Sequence, residues 1–263
     1  MAMVQSLCIA ASGMQAQQTH LDVISNNLAN VSTTGFKRAT TVFEDLMYQN
    51  LRQAGGNNTE QTQLPTGLQL GLGVRTVATS RSYTQGSLQQ SDKSFDIAIN
   101  GNGFFQVELP DGTTGYTRDG TFEINAQGQL VTANGNRVLG GVTVPADARS
   151  ITVGKDGVVT ALIGLNNPQP QQIGTIETAS FINPAGLEPR GQNVYTETQA
   201  SGNPVAGTPG ADGLGYLMQG HLETSNVNVV QELVCMIQTQ RAYEMNSKAV
   251  TTSDQMLQKL TQL

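Results

Sequence analysis

The side chains best equipped for chemistry are three aspartates, Asp111, Asp119 and Asp156, two histidines, His20 and His221, and two cysteines, Cys8 and Cys235. Neighbouring carboxylates can pass a proton, and several together can hold calcium. Each of these aspartates directly precedes a glycine, at Asp111-Gly112, Asp119-Gly120 and Asp156-Gly157, which is the pairing of a tight turn between strands. They are read as turn residues. Imidazole and thiolate are nucleophiles and metal ligands, but these four residues show no metal-ligand spacing. Gly101-Asn102-Gly103 lacks the third glycine of a dinucleotide loop, and neither a Gly-Lys-Ser/Thr phosphate loop nor a Gly-x-Ser-x-Gly elbow is present. The expected catalytic, cofactor and metal residues are therefore none, and the chain is not read as an enzyme. Tyr116 and Arg118 beside a hairpin fit a contact surface or an ordinary edge strand equally well.

Composition narrows the remaining classes. Charged residues are 13% of the 263 positions, against about 25% in an average soluble domain. The net charge is −6, the isoelectric point is near 4.9, and there is no basic run, which argues against a nucleic-acid surface. No stretch approaches the ~18 apolar residues of a membrane span, so no membrane insertion is expected. No Lys or Arg precedes the first apolar residues, which are periodic and do not form a block. A cleaved secretory signal is not expected.

The elements that would position a function lie at the two ends. Leu7, Met14, Leu21 and Leu28 recur at seven-residue intervals, with Val4 and Ala11 three places ahead of the first two. Val229, Met236, Tyr243, Val250 and Leu257 repeat the spacing, flanked by Val230, Leu233 and Ile237. Such stripes predict two amphipathic helices that pair with each other and with neighbouring copies. A helical hairpin closing one end of a single domain fits the same stripes. Residues 1 to 36 carry one formal charge, Asp22, as suits a helix surrounded by copies of itself. Asn228 is expected to cap the second helix, with Gln231 reaching back. Cys8 and Cys235 are expected as small thiols in a packed seam and not as a bridge.

Between the ends the texture changes twice. Residues 32 to 70 read as a connector. It holds a short apolar stretch with Phe43, Leu46 and Tyr48, then a polar segment from Gln53 to Gln63 suited to an extended or mobile arm. From residue 71, short alternating runs such as Ile97 to Asn100 and Phe104 to Val107 alternate with turn signals, which predicts an all-β domain. Asn203 to Gly215 reads as a surface loop. The expected fold class is α+β: terminal coiled-coil-like helices (1–31 and 223–263) joined through the connector (32–70) to a central all-β domain (71–222).

Three stretches resemble the bacterial flagellar axial family, the rod, hook and hook-associated proteins. Ser25-Asn26-Asn27-Leu28-Ala29-Asn30 followed by Thr34-Gly35-Phe36-Lys37 is similar to its amino-terminal signature, with Asn26, Asn27, Asn30, Gly35 and Phe36 forming the signature turn. Phe104 to Val107, Tyr116 to Phe122 and Gly128 to Thr132 resemble its shared β domain. Glu223 to Leu233 and Gln240 to Lys248 resemble its carboxy-terminal helix. The connector, with Phe43, Leu46 and Tyr48 as contacts, and the ending after Gln255 look like those of members in the distal segment of the rod. The resemblance implies a structural subunit without cofactor, exported through the flagellum's own apparatus without a cleaved signal. It would build a rigid hollow drive shaft through the periplasm and the outer envelope rings, with terminal helices inside and β domains outside. Implied partners are further copies, proximal rod proteins, the hook protein, the basal-body P and L rings and the export apparatus. Isolated helices with so little charge pairing are expected to order only on assembly, and residues 46 to 63 are expected to stiffen the tube by bridging neighbouring subunits. Alternatives are a hook or other rod subunit, a phage-tail-like structural component, and a secreted enzyme or carbohydrate-binding module. The last is disfavoured by 5% aromatic residues and no Trp.

Overall fold

The terminal stripes fold as helices, α1 (Ala2–Ala29) and α2 (Val229–Thr261). The structure is a computed structural model that describes residues 2–52, 57–59, 62–63, 66–164, 169–211 and 213–261. It divides into two units, one of residues 1–28, 39–80 and 228–263 and the other of residues 29–38 and 81–227.

In the first unit, α2 begins as its capping residue requires: Asn228 Oδ1 accepts from the amides of Val230 at 3.1 Å and Gln231 at 3.3 Å. The helices touch at three levels. Asn246 Nδ2 lies 2.9 Å from where a Cβ on Gly13 would be, Thr239 Oγ1 is 3.4 Å from His20 Nδ1, and Asn27 Nδ2 donates to Glu232 Oε2 at 3.3 Å. Each step of seven residues along α1 is matched by seven back along α2, so the two run antiparallel. Following α1 in sequence is a ribbon in which Ala39–Asp45 pairs with Val74–Arg81, then Tyr48–Arg52 with Leu68–Gly71 and Asn57–Thr59 with Thr62–Gln63. The rest of the polar arm, residues 53–56 and 60–61, lies outside the described residues.

The second unit is built on a nine-stranded sheet. Its order is Phe122–Ile124, Leu130–Thr132, Arg137–Val138, Phe104–Glu108, Thr114–Thr117, Val194–Thr196 and Glu188–Gly191, with Thr178–Ser180 joining Phe104–Glu108 to Val205–Gly207. Successive side chains of a strand point to opposite faces. Phe105 and Val107 accordingly enter a core with Ile97, Ile99, Phe122 and Leu217, while Phe104 enters a second one with Tyr116, Phe181 and Tyr195. A three-stranded sheet, Ala148–Val153, Val158–Ile163 and Gln169–Thr175, completes the unit together with two strand pairs that include Tyr216–Gln219 and His221–Glu223.

Two expectations are corrected. Tyr116 and Arg118 are 2% and 4% exposed, and the strand Thr114–Thr117 is paired on both sides, so they mark neither an edge nor a contact surface. The stretch from Asn203 to Gly215 is more than a loop, because Val205–Gly207 pairs with Thr178–Ser180 and Leu214 is buried. The aspartates do make turns: Asp119 Oδ1 accepts from the Thr121 amide at 3.1 Å, Asp156 Oδ1 accepts from the Val158 amide at 3.3 Å, and Gly112 and Gly157 have positive φ.

Candidate assembly joint and assembly surfaces

Glu223 is the centre of the most polar buried cluster in the second unit. It is 1% exposed, in the strand His221–Glu223, and both carboxylate oxygens are engaged. Oε1 accepts from Lys37 Nζ at 2.6 Å and the Gly86 amide at 2.9 Å, and Oε2 accepts from Arg118 Nη1 at 3.2 Å. Lys37 also donates to the Thr84 carbonyl at 2.8 Å and Arg118 to the Gly101 carbonyl at 2.7 Å. Burial lowers the pKa of Lys37 and of Arg118, and the Glu223 carboxylate opposes that in both. A buried charge set of this kind is tolerated only because nearly every donor has an acceptor.

The backbone around the triad is fitted to it. Gly35 has φ +69°, and a Cβ there would come within 2.7 Å of the Arg118 carbonyl carbon and the Asp119 nitrogen, so only glycine lets residues 34–38 lie this close. The Gly35 amide donates to the Glu223 carbonyl at 2.9 Å, Thr34 Oγ1 to Asp119 Oδ1 at 2.9 Å, and the Arg38 amide to Asn226 Oδ1 at 2.7 Å. Asn226 Nδ2 in turn donates to the carbonyls of Ser82 and Thr84. Phe36 is buried beneath the Arg81 guanidinium at 5.9 Å. The chain segments at residues 34–38 and 221–226 are thus bonded to each other and to the sheet.

The signature turn divides between roles. Asn27 is 1% exposed and bonds both backbone groups of Ala39, donating from Nδ2 at 2.8 Å and accepting on Oδ1 at 2.9 Å. Asn30 Oδ1 accepts from Thr33 Oγ1, and Asn26 is exposed.

The helical stripes stand beside the contacts between the helices and not within them. On α1 the buried residues are Ala10, Ala16, Ile24 and Asn27, whereas Leu7, Met14, Leu21 and Leu28 are half-buried and Ala11 is exposed; the Val4 side chain lies outside the described ones. On α2 only Glu232 and Thr239 are buried among the described residues, with Met236, Val250 and Leu257 half-buried. Val229, Val230, Leu233, Ile237 and Tyr243 are exposed, and so are Val234 and Met245. At 100° per residue, Val230, Leu233, Val234 and Ile237 fall on the side of α2 opposite Glu232 and Thr239. Cys8 is exposed and Cys235 half-buried, both as free thiols. In the antiparallel register Cys235 is level with Ile24, roughly 24 Å along the axis from Cys8, too far for a bridge within the chain.

In the ribbon, Phe43 packs edge-to-face on His20 with centroids 5.7 Å apart, and Leu46 donates its amide to the Gly73 carbonyl. Tyr48 lies over Gly71 and is 54% exposed, its phenol raised above the ordinary value near 10 by Asp45. On the other face Leu68, Leu70 and Leu72 form a row with Met47, which is 81% exposed.

Comparison with known proteins gives this arrangement a context. Residues 7–37 match the family described as flagella basal body rod protein, 98–161 the flagellar hook protein FlgE/F/G D1 domain, and 218–263 the flagellar basal body rod FlgEFG protein C-terminal family. The flagellar basal-body rod protein FlgG of Buchnera aphidicola subsp. Schizaphis graminum is 57% identical over 99% of this chain and 100% of its own length. The chain belongs to the FlgG family of flagellar basal-body rod proteins. FlgG proteins of Borreliella burgdorferi, 49% identical over 97% of both chains, and Bacillus subtilis, 39% over 99% of both, extend the likeness. The FlgG family is one of structural subunits, not of enzymes. Each of the three matched segments contributes one member of the buried triad: Lys37, Arg118 and Glu223. Sequence reading quoted all three without joining them. The available signal was the scarcity of charge, since each stands in a largely neutral stretch.

Proposed function

We propose that this chain is the subunit of the distal rod, polymerising head-to-tail into a helical, hollow and rigid drive shaft that carries torque to the hook and lets exported subunits pass. The observation that carries this reading is the amount of apolar surface the first unit leaves uncovered, on the outer side of α2 and along the Leu68, Leu70 and Leu72 row. Contacts that do not close into a ring propagate as a helix. In this reading the terminal helices (1–31 and 223–263) pair as a coiled coil and form the inner wall with those of neighbours. The β domain (71–222) forms the outer layer, and the connector (32–70), through Phe43, Leu46 and Tyr48, sets the contact between copies. The rod runs through the periplasm and the basal-body P and L rings, between proximal rod proteins and the hook protein, and its subunits arrive through the flagellar export apparatus. No helix among the described residues is long and apolar enough to cross a membrane.

Electron microscopy of basal bodies from an in-frame deletion strain tests the assignment. A rod truncated in the periplasm and lacking a hook is expected. A full rod lacking only the hook would move the subunit outward, and intact hooks and filaments would remove it from the axial structure.

A further inference from the structure

The ribbon of the first unit carries the most exposed methionine among those whose side chains are described. Met47 is 81% exposed, against 65% for Met245 and 49% for Met256, while Met14, Met218 and Met236 are half-buried. This exposure does not come from a loose loop. The Met47 carbonyl accepts from the Leu72 amide at 3.2 Å, and the amide of the preceding residue, Leu46, donates to the Gly73 carbonyl at 2.9 Å. The backbone is therefore pinned to the return strand while the side chain stands in solvent, at one end of the row Leu68, Leu70 and Leu72. A thioether sulfur is oxidisable, and how fast it reacts follows how freely an oxidant reaches it. Met218 makes the contrast: it is half-buried in the strand Tyr216–Gln219, and its sulfur accepts from Asn100 Nδ2 at 3.7 Å.

We infer that Met47 is the preferred oxidation site of the free subunit, and that its sulfoxide blocks addition of that subunit to the rod. The oxidant is a peroxide such as hydrogen peroxide. The sulfur lone pair attacks one peroxide oxygen, the O–O bond breaks, the sulfoxide S–O bond forms and water leaves. Sulfur gives up two electrons and the peroxide takes them; a thiol-dependent sulfoxide reductase reverses the change. The block rests on the assembly proposed above, in which a neighbouring copy covers the leucine row. Oxidation turns a flexible apolar side chain into a polar acceptor where apolar surface has to be buried. Because the backbone is pinned, the oxidised residue stays at the row.

The test begins with the full chain in dilute solution, treated with graded hydrogen peroxide, while the sulfoxide at each methionine is measured by peptide mass spectrometry. Met47 is expected to oxidise roughly threefold faster than Met218 and Met236, and an equal or slower rate overturns the site. In extracted basal bodies Met47 is expected to react roughly tenfold more slowly than in the free chain; an unchanged rate overturns its cover by a neighbour. The last arm is in cells. Met47→Leu, which keeps the apolar volume, is expected to build normal rods. Met47→Gln, a polar stand-in for the sulfoxide, is expected to lose most of them while its urea midpoint stays that of the parent chain. Normal rods from Met47→Gln, or an equal loss in Met47→Leu, overturn the block by polarity. Rods persisting in the deletion strain would instead overturn the rod assignment, and would leave the ranking of the methionines as measured.

Discussion

Glu223 shows what a single residue contributes and how little of it can be read in advance. It lies 186 residues from Lys37 and 105 from Arg118, so no spacing rule connects them. Replacing it by glutamine keeps the shape and strands two buried cations. Glu223→Gln is expected to cost about 3–5 kcal/mol, read as a lower urea midpoint of the full chain, and a loss below ~1 kcal/mol would mean that the triad is not the joint described. Gly35 and the Asp-Gly turns were legible because their chemistry is local; the triad was not, because it is made only by the sheet. The buried phenols give a second expectation. Burial, with help from Glu197, raises Tyr116 to about 12, and burial also raises Tyr83 and Tyr195. A phenol with a raised folded pKa stabilises the fold fully below pH 10 and loses that contribution as pH climbs from 10 towards its folded value. Lys37, lowered by burial, has the opposite sign: the unfolded chain binds its proton more readily, so its contribution rises with pH towards 10.5. With three phenols against one amine, the urea midpoint is expected to fall above pH 10, and less steeply in Tyr116→Phe. A flat profile from pH 9 to 11.5 would contradict it.

Among elements, the helices were legible as helices, and the cap at Asn228 was found at its residue. The faces were not. A seven-residue repeat says which side chains share a side, but not what covers that side. Here the helices meet through Gly13, His20 and Asn27 against Asn246, Thr239 and Glu232, polar or small residues that no hydrophobic pattern would select. The ribbon's return strand Val74–Arg81 likewise reads as part of the β domain, because strand texture is the same whether the partner is a sheet or one other strand. The outer side of α2 yields a prediction at this scale. Leu233 and Ile237 are 42% and 51% exposed, so Leu233→Lys with Ile237→Lys removes little burial within one chain and is expected to change its stability by no more than about 0.5 kcal/mol. The same pair would bury two unpaired charges wherever a neighbour covers that side, and rods should fail to assemble. Normal rods from the double variant, seen by electron microscopy, would show that this side faces open space.

At the scale of the molecule, the ribbon poses the question of stiffness. A two-stranded ribbon is marginal by itself in water, and this one displays Leu68, Leu70 and Leu72 with Met47 on one face. The inner part of the ribbon is tied to α1 through Val74 on Ser12 and Phe43 on His20, whereas in its outer part Gln5 Nε2 donates to Gln49 Oε1 at 2.6 Å, an exposed bond too weak to resist bending. In the rod proposed above, a neighbouring copy covers this face, and a contact that crosses between copies adds resistance to their relative tilt. In that proposed rod, an extra contact of this kind is where a stiff shaft would differ from a flexible joint. Leu72 donates its amide to the Met47 carbonyl at 3.2 Å, which places the two ends of the outer ribbon side by side. Residues 48–71 can therefore be replaced by an Asn-Gly turn while the pairing of Ala39–Asp45 with Val74–Arg81 closes above it. The shortened chain is expected to be exported and to assemble, because both helices and the Glu223 joint are untouched, and its rods should bend more in electron micrographs. Rods of unchanged persistence length would locate stiffness in the helices, and a failure to assemble at all would make the ribbon a requirement for polymerisation and not a brace upon it.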